Sequence, residues 1–471
     1  MSDTSQILTA AWEQLEKSVV YFRGEPVGTV AARDPGSDAL NYDQCFTRDF
    51  AVSAVAFLAR GRSDIVRNFL KVLVSLQQRE PHMESFRPGL GVMPASFAIQ
   101  KKDHEEVLVP DFGENAIGRV APVDSGFWWL ILLRAYTRAT GDDSLAQDPD
   151  FQQAIRLILE LSLTPRFDMY PTMLVPDAGY MIDRRMGVYG YPFDIQSLLF
   201  AGLSAAIELL PQDDPLQVSI PDRLQHLTYY LRRYYWLDFE HLNQIYRYKV
   251  EEYGRGVLNE FNIYPESIPD WIKHWMPLQG GYFTGNLGPG RMDFRYFAQG
   301  NLLAVLTSLA SKEQAQSLMN LLDERWDDLI GMMPCTLCYP ALRDREWYLV
   351  TGADPKNTPW SYHNGGHWPF LLWLLAAAAI RSGREEIAHR ALAVAGERIH
   401  GQDWPEYYDG QDGRFIGKEA RTYQTWTIAG IAAAHALLAD PSRVDLFSFH
   451  GNPQVAACTT QVAERIRQER G

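Results

Sequence analysis

Cysteine is scarce, with four in 471 residues, too few for a disulfide scaffold. Cys335-x-x-Cys338 has the spacing of half a zinc site. Neither a second pair nor a Cys/His cluster accompanies it, so the pair reads as structural. Positive charge is also in deficit. A formal net charge of −14 argues against nucleic acid or an anionic membrane surface as the main partner, because phosphate binding needs clustered Lys and Arg. Neutral sugars are compatible with it. Long hydrophobic runs are missing too: the longest, Trp368 to Ile380, is shorter than a membrane span and contains Pro369. The N-terminus has no basic region leading into an uninterrupted apolar run, so no signal peptide is expected and the chain is assigned to the cytoplasm.

Period-2 runs are few and strands do not alternate with helices, which sets aside a doubly wound α/β fold. No strict repeat supports a solenoid. No Pro/Gly/Ser-rich linker divides the chain, so one domain over residues 1–471 is expected.

Aromatic side chains, by contrast, are plentiful: 13 Trp, 23 Tyr and 22 Phe. Many fall beside Gly and Pro in loop-like segments, which suggests a lined cleft. Apolar residues at helical spacing predict about twelve helices: 7–22, one fed by Asn41–Phe50 and running to about 59, 63–76, 123–140, 149–162, one with Leu199, Leu203, Ala206 and Leu210 on its stripe, 221–237, 294–310, 312–324, 363–381, 384–400 and 421–437. Short connections alternate with long loops, notably 80–122, 238–293 and 325–362, and loops of that length in a compact chain are usually functional. An all-α toroid of helical hairpins, with the long loops gathered at one end as a pocket, accounts for this pattern.

Within the loops, Trp404-Pro405-Glu406-Tyr407-Tyr408-Asp409-Gly410 stands out. Pro405 is expected to hold Trp404 extended, and Asp409-Gly410 is a turn signal. A carboxylate wrapped in rings suits sugar chemistry, since the rings offer apolar faces to pyranose C–H groups and raise a carboxyl pKa by excluding water. The same aromatics also read as a cap on the core. Glycosidic cleavage needs a second carboxylate, and Asp49, Asp124, Asp183, Asp293 and Asp409 are the other loop-borne acids. Arg184 and Arg185 follow Asp183 directly. An ion pair with either would depress its pKa, whereas burial would raise it, and sequence leaves both open.

His363-Asn364-Gly365-Gly366-His367 places histidines four apart, but the two glycines weaken a helix and the glutamate of the H-E-x-x-H zinc motif is absent, so no metal is expected. His363 and Asn364 read as hydrogen-bond donors to hydroxyls or as a helix start. Gly285-x-x-Gly288-x-Gly290 follows no convincing strand and opens no helix, which makes it weak as a phosphate loop. No G-x-S-x-G elbow occurs.

Several long runs then fall into one order. They are Asn41-Tyr42-Asp43-Gln44 with Arg48-Asp49-Phe50, Val123-Asp124-Ser125-Gly126 with Trp128-Trp129, and Asp183-Arg184-Arg185-Met186-Gly187 with Tyr189-Gly190-Tyr191-Pro192. Arg291-Met292-Asp293-Phe294-Arg295, Asn357 to Gly366 and Trp404 to Gly410 follow. Together, from about residue 40 to residue 437, they resemble the alkaline/neutral invertases, glycoside hydrolase family 100, most closely its bacterial, cyanobacterial-like type. The resemblance implies an (α/α)6 barrel and cytoplasmic hydrolysis of sucrose to glucose and fructose with inversion, without metal or cofactor. It also implies a homo-oligomer, often a hexamer built from dimers.

By motif position the resemblance makes Asp183 the general acid and Glu406 the general base. Tyr42, Arg48, Asp49, Asp124, Trp128, Arg185, Asp293, His363, Asn364, Arg421 and Gln424 become candidates for holding the sugar, and several of them are equally read as supports of the loops. His367, where the family pattern has serine, adds a titratable group expected near the pocket. Another inverting disaccharide hydrolase on the same barrel, a sugar epimerase using His363 and His367, and a silent sugar-binding protein are the alternative readings.

Overall fold

The computed structural model describes residues 3–35, 41–81, 88–115, 119–163, 170–246, 263–288, 290–415 and 420–470. Thirteen of its helices organise the fold: α1 (Asp3–Lys17), α2 (Thr47–Ala59), α3 (Ser63–Leu76), α4 (Ser125–Thr140), α5 (Pro149–Ser162), α6 (Phe193–Leu209), α7 (Leu216–Tyr230), α8 (Ala298–Leu306), α9 (Lys312–Glu324), α10 (Leu372–Ser382), α11 (Glu385–Ile399), α12 (Thr425–Ala439) and α13 (Pro453–Arg470).

Six of them are apolar nearly all round and are buried on almost every side, as such helices must be. Examples are α6, from Phe193 to Leu209, and the alanine-rich α12. Packed in the order α2, α4, α6, α8, α10, α12 and back to α2, they form a closed ring. The next helix after each of the first five is amphipathic and lies outside. In α3, Ile65, Phe69, Leu70 and Leu73 make the inward stripe, and in α9 Leu318, Leu321 and Leu322 do so. The last inner helix takes its outer partner from the other end of the chain, where α1 packs on α12. The twelve-helix toroid expected from the sequence is therefore an (α/α)6 barrel, and α13, which the periodicity did not predict, packs outside against α7. No described helix is long and apolar enough to cross a membrane.

Repeated inner–outer hairpins make all six inner helices run the same way, so their N-termini share one rim. The six runs between Asn41 and Gly410 each open an inner helix or lie in the connection before one, which delivers those connections to that rim.

Four predicted helices are corrected. The stretch 7–22 stops at Lys17, and β1 (Val19–Phe22) pairs with β2 (Glu25–Thr29) across a two-residue turn. Arg23 and Gly24, both at positive φ (52° and 82°), make that turn. Its Val-Val-Tyr-Phe content favours a strand. Residues 291–297 form β8 (Arg291–Phe297), with Met292, Phe294 and Tyr296 alternating inward, before α8 begins. Its partner is β7 (Gly281–Gly288), so Gly285 and Gly288 do follow the strand pattern that sequence reading missed. His363 to Trp368 is not helical, and the helix there begins only after a single turn at Pro369–Leu371. Likewise α7 gives way at Leu231–Tyr235 to a wider turn.

Two further sheets occupy the long loops. One is β3 (Cys45–Phe46), β4 (Ser96–Lys102) and β5 (Glu105–Asp111); in the other, β6 (Trp236–Asp238) and β9 (Cys338–Tyr339) flank the β7–β8 hairpin. Because β3 runs into α2 and β8 into α8, both sheets stiffen the rim. Cys335 and Cys338 are buried free thiols, as expected of a structural pair.

Candidate active site

Glu406 lies in the loop before α12 and is almost fully buried. Its backbone N–H donates to the carbonyl of Arg421 at 2.8 Å, and Tyr408 exchanges backbone hydrogen bonds with His367 at 2.9 and 3.0 Å. Proline does not hold Trp404 extended here. Asp403 and Trp404 both take positive φ (56° and 55°), held by Tyr423 N–H to the Asp403 carbonyl (2.6 Å) and Gln424 N–H to that of Trp404 (3.0 Å). Trp360 and Tyr362, in the loop before α10, are also left-handed. Such residues cost about 1–3 kcal/mol each and persist where surrounding bonds over-determine them. The rings of Trp404, Tyr407 and Tyr408 are buried in the core, with Tyr407 stacked on Trp368 at 5.5 Å. They hold the loop. Asp409 makes the expected turn, its carboxylate accepting the N–H of Gln411 and Asp412.

Both carboxylate oxygens of Glu406 have neighbours. Tyr42 donates its hydroxyl to Oε1 at 3.0 Å, and the ammonium of Lys356 lies 3.5 Å from Oε2. Asp183 faces the same cleft from the loop before α6. One of its oxygens, Oδ1, is buried without a hydrogen bond, 3.7 Å from Nδ1 of His363. The side chain as a whole is still 44% accessible, so the other edge of the carboxylate is open to a ligand.

The contest left open for Asp183 is decided by burial, which raises its pKa against the opposing pull of Arg48, Lys356 and Arg184, with the charge of Glu406 reinforcing the rise. Arg184 turns away, binding Asp354 through two contacts of 2.8 Å. Asp49, in the first turn of α2, is pushed up to about 8 by burial, with Arg48 opposing and Glu406, Asp183 and Asp124 adding to the rise.

Arg48 is paired with fully buried Asp124 at 2.5 Å, tying α2 to the start of α4. The guanidinium of Arg421 lies 5.2 Å from the Tyr42 ring centre. His363 stacks on Tyr362 at 4.0 Å; burial and the charges of Lys356, Arg184 and Arg48 hold its pKa well below the ordinary value, so the ring is neutral. Tyr42, Arg48, Asp49, Asp124, Asp183, His363, Glu406 and Arg421 are thus brought together.

Other candidates fall elsewhere. Arg185 is exposed and reaches the carbonyl of Leu349 at 3.5 Å, outside the cluster. Asp293 is gripped by Arg295 at 2.6 Å in a neighbouring cavity of about 740 Å³, lined also by Trp271, Tyr339 and Trp360. Asn364 spends its amide on the backbone of Leu342 and Asn357, and Gln424 sits between the Ala31 carbonyl and the indole N–H of Trp426. Both support loops. Trp128 is buried, its indole N–H without a partner. His367 is no pocket group: it is buried against the Met333 carbonyl, and burial lowers its pKa to about 4.

Sequence reading missed Lys356, Asp354 and Tyr362. The run Ala353-Asp354-Pro355-Lys356 carried a signal, since it sets two opposite charges around a proline directly before the Asn357 to Gly366 motif.

A cleft holding one carboxyl with a raised pKa and one carboxylate between a hydroxyl and an ammonium can donate a proton at one side and accept one at the other. The comparisons agree with that chemistry. A family model described as alkaline and neutral invertase matches residues 11–441. Cytosolic invertase 1 of Oryza sativa subsp. japonica is 55% identical over 448 residues, covering 94% of this chain and 80% of that protein. Alkaline/neutral invertase E, chloroplastic, of Arabidopsis thaliana is 51% identical over 450 residues, covering 93% and 73%. A solved glycosidase superposes with a TM-score of 0.56 at 11% identity, over 94% of this chain and 98% of that one, a likeness of fold alone. The chain belongs to the alkaline and neutral invertase family of glycoside hydrolases.

Proposed function

We propose that the protein hydrolyses sucrose with inversion, Asp183 acting as general acid and Glu406 as general base. The observation that carries this reading is the difference in surroundings of two carboxyl groups in one cleft. Asp183 is raised by burial and keeps one edge open, while Glu406 has Tyr42 at one oxygen and Lys356 at the other.

In the reaction, Asp183 gives its proton to the bridging oxygen as the bond from the glucosyl anomeric carbon to that oxygen breaks. A water attacks the same carbon from the far face and yields its proton to Glu406. The products are β-glucose and fructose, and Asp183 and Glu406 exchange protonation states with solvent to reset. Inversion calls for a separation of roughly 6.5–9.5 Å between the carboxyl groups, room for that water. Arg48, Asp49, Asp124, His363 and Arg421 surround the glucosyl position as candidate hydroxyl partners. The rice relative named cytosolic supports action in the cytoplasm.

Proton NMR of sucrose turnover tests the reading. Early β-glucose is expected, and early α-glucose would overturn inversion at the glucosyl carbon. Asp183→Asn and Glu406→Gln are each expected to lower kcat by roughly 10²–10⁴-fold with the fold intact by circular dichroism. Normal turnover in either variant would remove its residue from the mechanism.

A further inference from the structure

We propose that Lys356 is a positioning residue that holds the carboxylate of Glu406 in place and, by its charge, sets the upper end of the pH range in which the acid works. This rests on the assignment of Asp183 and Glu406 above.

The geometry singles it out. Lys356 is 8% exposed, and a buried ammonium requires a compensating charge. Its Nζ lies 3.5 Å from Oε2 of Glu406, an oxygen with no hydrogen bond of its own, and 4.1 Å from the ring centre of Tyr362. The lysine is also held from behind. Its backbone N–H donates to Asp354 at 3.0 Å, and Asp354 grips Arg184, the neighbour of the acid, with two bonds of 2.8 Å. Arg184 shares the Tyr362 ring, 5.5 Å from its centre. A chain of contacts thus runs from the loop of Asp183 through Arg184, Asp354 and Lys356 to Glu406.

The charge of Lys356 acts on both carboxyl groups, because it also opposes the rise at Asp183. Other groups facing the pair are Tyr42, Asp49, Tyr362 and Arg421 around Glu406, and Arg48, Arg184 and His363 around Asp183. Hydrolysis moves one proton onto Glu406 and one off Asp183.

Removing its charge leaves Asp183 holding its proton to higher pH. The acid must be protonated, so the alkaline limb of the rate profile rises in pH. For Lys356→Met that limb of kcat/KM is expected to move upward by at least about one pH unit, with the larger loss in kcat near neutral pH. Lys356→Arg keeps the charge and is expected to leave the limb near its original position. Should the methionine variant not fold, Lys356→Gln takes its place with the same expectation. A uniform loss at every pH, with the limb unmoved, would make Lys356 a space-filling group and overturn the proposal. Wild-type turnover by Glu406→Gln would overturn the base assignment instead, whatever Lys356 variants do.

Discussion

The hydroxyl of Tyr42 donates to Oε1 of Glu406 at 3.0 Å, although the two residues stand 364 positions apart in the chain. Burial together with the charges of Glu406 and Asp183 raises the phenol well above its ordinary pKa, so Tyr42 stays a donor across the working range. The connections that lead into the first and the last inner helix are thereby joined at the Glu406 carboxylate. Tyr42→Phe removes that donor and keeps the ring under Arg421. Steady-state kinetics should show kcat reduced roughly 10–100-fold, the value of one hydrogen bond to a charged group, with KM little changed. Unaltered kcat would mean that the bond does not serve catalysis.

His367 is expected to matter for stability, not for the rate profile. Its pKa is lowered to about 4 in the fold by burial, against about 6.5 when unfolded. The unfolded chain therefore binds the proton first as pH falls. The stability from keeping this ring neutral is complete above about 6.5 and is lost down to about 4, up to roughly 3 kcal/mol. Denaturant midpoints of the protein and of His367→Asn, compared at pH 7 and pH 5, should show the variant losing less on acidification. An equal loss would contradict this, as would a changed pH profile of kcat in the variant.

Gly410 tests how closely the base loop approaches the loop before α10. A Cβ there would sit 1.8 Å from the carbonyl oxygen of Gly365, and Gly410 N–H already donates to the Trp360 carbonyl at 2.9 Å. Gly410→Ala must push the two loops apart and is expected to cost about 3 kcal/mol or more, with activity lost alongside. At Gly401 a Cβ meets nothing within 4 Å, so Gly401→Ala serves as the control. Thermal unfolding of both variants decides the matter, and similar midpoints would refute the close approach.

Parts of the fold were legible because local signals were complete. The helices over 149–162 and 312–324 were predicted at their observed bounds. The first opens on Asp148, whose carboxylate accepts the N–H of Asp150, and the second on the Ser311–Gln314 capping box. Both also carry a clear apolar stripe. Where the signal was shared, reading failed. Residues 294–297 end a strand that begins at Arg291 but adjoin an apolar helix, and the longer periodicity absorbed them. The helix Pro453–Arg470, rich in charge and modest in stripe, went unread.

The same division runs through the site. Sequence by itself determined the twelve-helix architecture, the family and the loops that reach the rim, because each of the six family runs opens an inner helix or lies in the connection before one. It also supplied Asp183 and Glu406 by motif position. Only the tertiary structure decided that Arg184 turns to Asp354, that Arg185 and Asp293 lie outside the cluster, and that Lys356 faces Glu406. A side chain's charge environment depends on what packs against it from elsewhere in the chain, and the burial that raises the pKa of Asp183 exists only once the barrel has closed.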